Sequence, residues 1–381
     1  MPTPEEQAFA ARLYHLQILD RDAARDCLKL CEQRGKAGEE KASLEEILVE
    51  RGLLTEQEVI AFSDRSLADT QPIPKYEIHE QVGEGGMATI WRATYRPLDK
   101  EVAIKLMKPE FARKEHLRTR FFRESGILRH VRHENIVPVF EDGDVGPYQF
   151  YAMDFVHGDT LLDRVDDEGP LKEVHAIWVV RQMALAMAYM DRRGVIHRDM
   201  KPSNVLLSER LHATLLDFGL AQTQRMRDDG EAGMTVGTVE YISPEQARGH
   251  AVDVRSDLYS LGVTLFHAVF GDVPFQGRSD QETLRMQVME TLSIPDEPRV
   301  QPLTRRLIEQ MMAKNPDERF QHPDDVVTMI DRVVPDLAER VERSLPAPKP
   351  KGPFVPKLEA GRGRRGGRGR SSSAGRRRRR R

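Results

Sequence analysis

The segment His197–Asn204, followed by Asp217-Phe218-Gly219, constrains this chain more than any other feature. Asp199 and Asn204 stand five residues apart in a predicted loop, and Asp217 directly follows a short apolar run. A carboxylate can accept the proton of an incoming hydroxyl group. Amide and carboxylate oxygens are hard ligands that suit Mg²⁺. The pattern therefore indicates a site that combines a general base, Asp199, with a metal pair, Asn204 and Asp217.

Two features upstream point to phosphate binding. The glycine-rich stretch Gly83–Ile90 lies between two strand-like runs, where backbone N–H groups can face phosphates. Taken alone, a plain glycine-rich hairpin turn explains it equally well. Lys105 ends a short apolar strand, and alone it could be an edge charge. Glu124 on the next predicted helix gives it a partner, which a lysine needs to stay charged and fixed in a cleft.

In chain order, the glycine loop, V-A-I-K, the helix glutamate, H-R-D-x-K-x-x-N, D-F-G and S-P-E resemble the protein kinase motif set. Gly85-Gly86-Met87 and Gly237–Gln246 are most similar to the bacterial eukaryotic-like (Hanks-type, PknB-like) serine/threonine kinases. The resemblance spans residues 76–335. It implies an α+β bilobal fold with a β-rich N-lobe and a helical C-lobe. It also implies transfer of the γ-phosphate of ATP to Ser/Thr hydroxyls of proteins, with Mg²⁺ as the metal and Mn²⁺ as an alternative.

The resemblance assigns roles to residues that match the motifs. Lys105, paired with Glu124, would hold the α- and β-phosphates. Asp199 would orient the substrate hydroxyl and take its proton, and Lys201 would reach the γ-phosphate. A lysine at position 201 is the serine/threonine kinase pattern. Asn204 and Asp217 would bind the metal ion.

The resemblance also implies a set of ATP contacts, with Met153 as gatekeeper and the backbone of Asp154 and Val156 pairing with adenine. The sequence departs from the family at Ala88, which replaces the third glycine of the loop. The implied contacts are Val82, Gly83, Glu84, Gly85, Gly86, Met87, Ala88, Thr89, Ile90, Ala103, Lys105, Met153, Asp154, Val156 and Leu206.

The stretch between Asp217 and Glu245 corresponds to the activation loop of that family. Thr235 is the predicted main autophosphorylation site and Thr223 the second, since a phosphate can order this loop through arginine pairs. We expect a transient homodimer for phosphorylation in trans. Thr238 is expected to have a structural role against Asp199 and Lys201. The resemblance further implies structural roles for Asp257, which would brace the catalytic loop, and for an ion pair of Glu245 with Arg319.

Four regions are expected along the chain. Residues 1–70 predict a small helical module, because Ser43 with Glu46 and Thr55 with Glu58 both match a capping box. A weak internal repeat, Ile18-Leu19-Asp20 and Leu53-Leu54-Thr55, suggests two helix pairs with an interaction or regulatory role. Residues 71–75 predict a linker because of their prolines. The kinase-like region follows at 76–335, and residues 336–381 predict a disordered tail, rich first in Pro and Lys and then in Arg and Gly.

Charge is segregated along the chain. Residues 345–381 hold 11 arginines, three lysines and one glutamate, so this stretch has a net charge of +13 and the other residues −16. A solvated extension, docking onto the acidic body, and contact with a polyanion (RNA, DNA or anionic lipid) are all open interpretations of the tail. Protein substrates are the other expected partners.

The remaining composition predicts a cytoplasmic protein. No signal peptide and no run of 18 apolar residues occurs, so no transmembrane segment is expected. Cys27 and Cys31 favour two reduced, partly buried residues over a metal or redox pair. Two other functions stay open: a pseudokinase-like scaffold, which usually lacks the lysine or one of the aspartates present here, and a nucleic-acid-associated regulator dominated by the tail.

Overall fold

The N-terminal module consists of two helical hairpins with the same turn geometry. The computed structural model describes residues 2–36, 43–63, 66–216, 222–223 and 238–346. In the first turn, the N–H groups of Ile18 and Leu19 both donate to the Leu13 carbonyl, and in the second, Leu53 and Leu54 both donate to Leu48. The weak sequence repeat is thus a structural repeat. The helices are α1 Pro4–His15, α2 Arg21–Lys36, α3 Leu44–Glu50 and α4 Glu56–Phe62.

The capping residues explain where these helices begin. Ser43 and Thr55 form the expected capping boxes with Glu46 and Glu58, so side chains satisfy backbone N–H groups that the first turn leaves unpaired. A third box, Thr3 with Glu6, begins α1. Each turn contains a residue with positive φ, Gln17 at 58° and Gly52 at 64°. Cys27 and Cys31 are buried in the core of the module.

The predicted linker is fixed to the sheet. After the short helix α5 (Leu67–Thr70), the Gln71 side chain donates to the Ile78 carbonyl at 2.7 Å and accepts from the Ile78 N–H at 2.8 Å. The Gln71 amide thus takes the place of a neighbouring strand and pairs the backbone N–H and carbonyl groups of Ile78 at the edge of β1. The prolines end the helix as predicted, but tertiary hydrogen bonds hold the segment in place.

A five-stranded antiparallel sheet and two helices form the N-lobe. The strand order is β1-β2-β3-β5-β4. On β3, Lys105 lies between Ile90 of β2 and Tyr151 of β5. This register directs the lysine toward the helix that follows. The elements are β1 Tyr76–Glu84, β2 Ala88–Tyr95, β3 Lys100–Met107, α6 Pro109–Ala112, α7 Glu115–Leu128, β4 Val139–Val145 and β5 Tyr148–Asp154.

Helices dominate the C-lobe and surround the mostly apolar α11, in which every residue except Arg255 and Phe270 is buried. At Gly262 an added Cβ would lie 2.8 Å from the side chains of Met311 and Met312, so the glycine permits close packing on α13. The helices are α8 Leu161–Glu168, α9 Glu173–Asp191, α10 Pro244–Ala247, α11 Val254–Phe270, α12 Asp280–Met289, α13 Pro302–Met311, α14 Pro323–Val333 and α15 Leu337–Ser344. The short strands are β6 Asp159–Thr160, β7 Val195–Ile196, β8 Val205–Leu207, β9 Ala213–Leu215 and β10 Gln222–Thr223.

The lobes confirm the expected α+β bilobal architecture, but the predicted start of the tail at residue 336 is wrong. Residues 337–344 form α15, which packs on α9 with Leu337 and Val341 buried. These residues are four apart and share one helix face, which the charged residues around them obscure. Residues 347–381, including the Arg/Gly-rich part, lie outside the described residues.

Among the described helices, none combines the length and apolarity that a bilayer crossing requires.

Candidate active site

A cleft of about 490 Å³ lies between the two lobes, a size typical of small-molecule sites. Every residue of the predicted ATP set except Thr89 lines it, together with Glu124, Asp199, Lys201 and Asn204. Its apolar walls come from both lobes, with Ala103 and Ile90 above and Leu206 below.

The glycine loop forms the roof of the cleft. Strands β1 and β2 are joined at Gly85-Gly86-Met87, where the Gly85 N–H donates to the Ala88 carbonyl at 2.8 Å. Ala88 is buried and packs with the core. The small methyl group at the third glycine position therefore lines the cleft while it packs against the core, and the hairpin stays intact. Glu84 on this loop has a pKa held below its ordinary value by the Lys108 ammonium, 2.7 Å away.

Thr89 is the exception among the predicted ATP contacts. Successive side chains on a strand point to opposite faces. Ala88 and Ile90 face the cleft, so Thr89 faces the other side, where its hydroxyl accepts from the Trp91 indole at 2.9 Å. A side-chain contact of Thr89 with the nucleotide is therefore not what this geometry provides.

Lys105 and Glu124 form an ion pair at the inner end of the cleft. Lys105 Nζ lies 3.0 Å from Glu124 Oε1, and both residues are buried. The Tyr151 hydroxyl donates to the same carboxylate oxygen at 2.8 Å, and its ring lies 5.4 Å from the lysine nitrogen. The tyrosine thus fixes both partners, a contact that the sequence analysis missed.

The catalytic loop forms the floor. Lys201 Nζ lies 2.8 Å from Asp199 Oδ2 and donates to the Thr238 hydroxyl at 3.1 Å. The predicted contact of Thr238 with Lys201 is therefore present. Asn204 Nδ2 donates to Asp199 twice, to its carbonyl at 2.7 Å and to its carboxylate at 3.1 Å. Within this loop, the Asn204 amide and the Lys201 ammonium therefore both hold the Asp199 carboxylate.

Asp257, at the start of α11, holds the backbone of this loop. Its two oxygens accept from the N–H groups of His197 and Arg198, each at 2.7 Å. Burial raises the pKa of Asp257, while the hydrogen bonds from these N–H groups oppose that rise. Arg198 adopts a positive φ of 68°, which is strained for a residue with a side chain. The hydrogen bonds to Asp257 hold Arg198 in this conformation, directly before Asp199.

The donor chemistry around Asn204 fits a divalent cation. Asn204 Nδ2 donates to Asp199. Among the described residues, no group donates a hydrogen bond to the amide oxygen of Asn204. Asn204 lines the cleft. Asp217 and Phe218 lie outside the described residues, and Leu216, just before them, donates to the Asn204 carbonyl at 2.8 Å. No cluster of three or more His, Cys, Asp or Glu residues suited to a metal occurs in the described part of the chain.

Several residues that line the cleft were missed from the sequence. Three of them lie on α7, at seven, four and three residues before Glu124: Leu117, Arg120 and Phe121. That helical periodicity was the available signal. At the entrance, Asp159 and Asp163 also line the cleft, and no motif marks them.

Below the cleft, Glu245 and Arg319 form the expected pair. The guanidinium donates to the two carboxylate oxygens at 2.7 and 2.8 Å. Burial alone would raise the pKa of Glu245, but hydrogen bonds and the charge of Arg319, together with a bond from Ser256, hold it below its ordinary value. Thr235 lies outside the described residues. Thr223 is described only as backbone, where β10 pairs with β7.

The site combines two lobes, a glycine-rich roof, a buried lysine–glutamate pair and an Asp-Lys-Asn floor. This combination defines a nucleotide-dependent phosphotransferase of the kinase class. The family model described as protein kinase domain matches residues 76–328, and the chain belongs to that family. Members use ATP and a divalent metal ion and phosphorylate proteins.

Curated relatives are named serine/threonine-protein kinases. The chain is 36% identical over 258 residues to PknB of Mycobacterium tuberculosis, covering 65% of this chain and 41% of that protein. It is 33% identical over 265 residues to a probable kinase of Clostridium perfringens, covering 69% and 38%. It is also 33% identical over 266 residues to drp72 of Corynebacterium efficiens, covering 68% and 51%. The chain thus matches about half or less of the length of these relatives.

Proposed function

We propose that this chain is an active serine/threonine protein kinase that transfers the γ-phosphate of ATP to Ser/Thr hydroxyls of proteins. The supporting observation is the convergence of Lys105 with Glu124 and of Asp199 with Lys201 and Asn204 on one cleft. A pseudokinase scaffold is not favoured, because that class usually lacks one of Lys105, Asp199 and Asp217, and all three occur in this sequence.

Each residue has a role in this proposal. Lys105 binds the α- and β-phosphates under the glycine loop, and Glu124 keeps the ammonium charged and in place. Asp199 accepts a hydrogen bond from the substrate hydroxyl, orients it toward the γ-phosphate and takes its proton. Lys201 donates to the γ-phosphate as charge moves during transfer. Positioning and charge neutralisation account for most of the catalysis of this reaction.

Asn204 and Asp217 would hold the metal ion, which we propose to be Mg²⁺ with Mn²⁺ as an alternative. A bound divalent cation supplies neutralisation of the phosphate oxygens. Asn204 meanwhile has a second task in this chain, because its amide nitrogen restrains Asp199. The same side chain would therefore couple the metal position to the position of the base.

The proposal extends to regulation and partners. Phosphorylation in trans within a transient homodimer would modify Thr235 first and Thr223 second. The Arg-rich tail would contact a polyanion, since its charge of +13 lies in a Gly- and Ser-rich segment. The buried thiols of Cys27 and Cys31 are compatible with a reducing, cytoplasmic location.

Phosphosite mapping tests the proposed activity. The full chain is incubated with Mg²⁺-ATP and a mixed protein substrate, and phosphorylated residues are identified by mass spectrometry. We expect phosphoserine and phosphothreonine, no phosphotyrosine, and their loss in Asp199→Asn. Wild-type protein that modifies nothing would contradict the proposal, as would an equally active Asp199→Asn. Within the same experiment, Thr235→Ala should lower specific activity, and unchanged activity and loop phosphorylation would refute the role of Thr235.

A further inference from the structure

The N-terminal module contacts the N-lobe through α4. Arg113, just after α6, lies with its Nη2 2.6 Å from Glu58 Oε1. Its guanidinium also lies over the Phe62 ring, 5.4 Å from the centroid, and Phe62 is buried in the core of the module. One arginine of the kinase lobe is therefore held by both a charge and a ring of the module.

A second contact supports this docking from the sheet side. Gly146, in the turn between β4 and β5, has a φ of 59°, and an added Cβ would lie 1.9 Å from Gln57 Oε1. Ala61 of α4 and Leu67 of α5 pack against the apolar cluster of the sheet that includes Tyr76. The module thus contacts the N-lobe along a continuous stretch.

The contacted segment adjoins the elements that form the nucleotide site. Lys108, where α6 begins, donates its N–H to the Met87 carbonyl at 2.9 Å and its ammonium to Glu84 at 2.7 Å, both on the glycine loop. Phe111 of α6 packs against the core that contains Phe121 of α7. Arg113 lies two residues before α7, which positions Glu124. A displacement of Arg113 would therefore shift both the glycine loop and Glu124.

We propose that the N-terminal module regulates the kinase from within the chain, with Glu58 as a positioning residue that holds α7 through Arg113. This inference rests on the proposed function and adds a regulatory role to it. A module docked as described stabilises the Lys105–Glu124 pair. A ligand or protein that draws α4 away would loosen that pair and slow phosphoryl transfer.

Glu58 has two separable tasks, which allows a clean substitution. Its Oε2 accepts from the Thr55 N–H at 2.9 Å in the capping box, while Oε1 accepts from Arg113 at 2.6 Å. Glutamine also serves in a capping box. Glu58→Gln therefore keeps the start of α4 and removes the charge that faces Arg113. Glu46→Gln is the matched control, because Glu46 makes the same cap with Ser43 and shows no ion pair among the described residues.

The experiment uses the full chain in six forms: wild type, Glu58→Gln, Arg113→Met, Arg113→Lys, the double variant of Glu58→Gln with Arg113→Met, and Glu46→Gln. Methionine keeps an unbranched apolar side chain over Phe62 and removes the charge. Hydrogen exchange of residues 115–128 and the KM and kcat for ATP are measured. We expect faster exchange in α7 and about a two- to fivefold lower kcat/KM in each single variant, as a partly exposed ion pair allows.

The double variant should be no worse than either single variant, and Arg113→Lys should restore most of the loss. Glu46→Gln should match wild type. The inference is overturned if Glu58→Gln leaves α7 exchange unchanged, or if Glu46→Gln has the same effect. A wild-type chain without transfer activity would contradict the proposed kinase function instead, and α7 exchange would still decide whether the module holds α7.

Discussion

Two buried ion pairs, one in the C-lobe core and one at the cleft, differ in what surrounds them. Arg319 is fully covered and, besides Glu245, donates to the backbone carbonyls of Ala313, Arg255 and Lys314. Lys105 and Glu124 both line the cleft, where solvent or a ligand can reach them. The guanidinium of the core pair is enclosed by protein, whereas both members of the cleft pair line a cavity.

The difference separates architecture from function. A buried charge that loses its partner in a closed core has nothing to replace it. A carboxylate beside an open cleft can instead be hydrated. The cleft pair can therefore move or bind a ligand, whereas the core pair holds the segment after the activation loop to the C-lobe.

The largest expected effect is on stability, from Arg319→Met. Removing the guanidinium leaves Glu245 buried without its cation, which typically costs about 3–5 kcal/mol. Urea denaturation monitored by circular dichroism measures the loss. The control is Arg181→Met, which breaks the partly exposed pair with Asp331 and should cost no more than about 1 kcal/mol. Equal losses in the two variants would remove the distinction between core and surface pairs.

The next effect is on activity, from Lys105→Met. Loss of a preorganised cation at the phosphates should slow transfer by about 10²–10³-fold. Unfolding in urea should shift much less than in Arg319→Met, since water can enter the cleft beside Glu124. Steady-state kinetics and denaturation are measured on the same preparations. A Lys105→Met protein as unstable as Arg319→Met would show that the cleft pair is architectural as well.

A third cation sharpens the comparison with a smaller effect. Lys314 donates to the Gln287 carbonyl at 2.7 Å and lies 4.0 Å from the Phe275 ring, with no carboxylate in ion-pair distance among the described residues. Burial, together with the charge of Arg319, lowers its pKa to about 8. Between about pH 8 and 10.5 the unfolded chain then binds more protons, so the stability relative to Lys314→Met should rise with pH. A flat difference across this range would contradict the burial of the ammonium group.

The sequence predicted the cleft better than its surroundings. Lys105, Asp199 and Asn204 occur at spacings that recur because the chemistry requires them, so residue type and order sufficed. Helices α3 and α4 of the module were predictable from Ser43 and Thr55, whose caps are local. The bilobal fold followed from the resemblance of the ordered motifs to those of protein kinases.

Long-range contacts between different elements were beyond local reasoning. The pair of Glu58 with Arg113 joins residues 55 positions apart, and nothing in either neighbourhood marks the partner. The Gln71 bonds to Ile78 were hidden by prolines that indicate a linker. Helix α15 was assigned to the tail because composition near the C-terminus outweighed a short amphipathic pattern. Thr89 was included because the loop was treated as a unit, without the alternation of a strand.

Labelling with an ATP acyl phosphate tests most directly whether Lys105 holds the phosphates. The lysine amine attacks the acyl carbon, an amide forms and ATP leaves, and mass spectrometry identifies the modified residue. We predict modification at Lys105 that excess Mg²⁺-ATP suppresses, retained in Asp199→Asn, which should bind nucleotide without transferring phosphate. Labelling confined to other lysines, or labelling of Lys105 that ATP does not reduce, would contradict the assignment of this cleft as the nucleotide site.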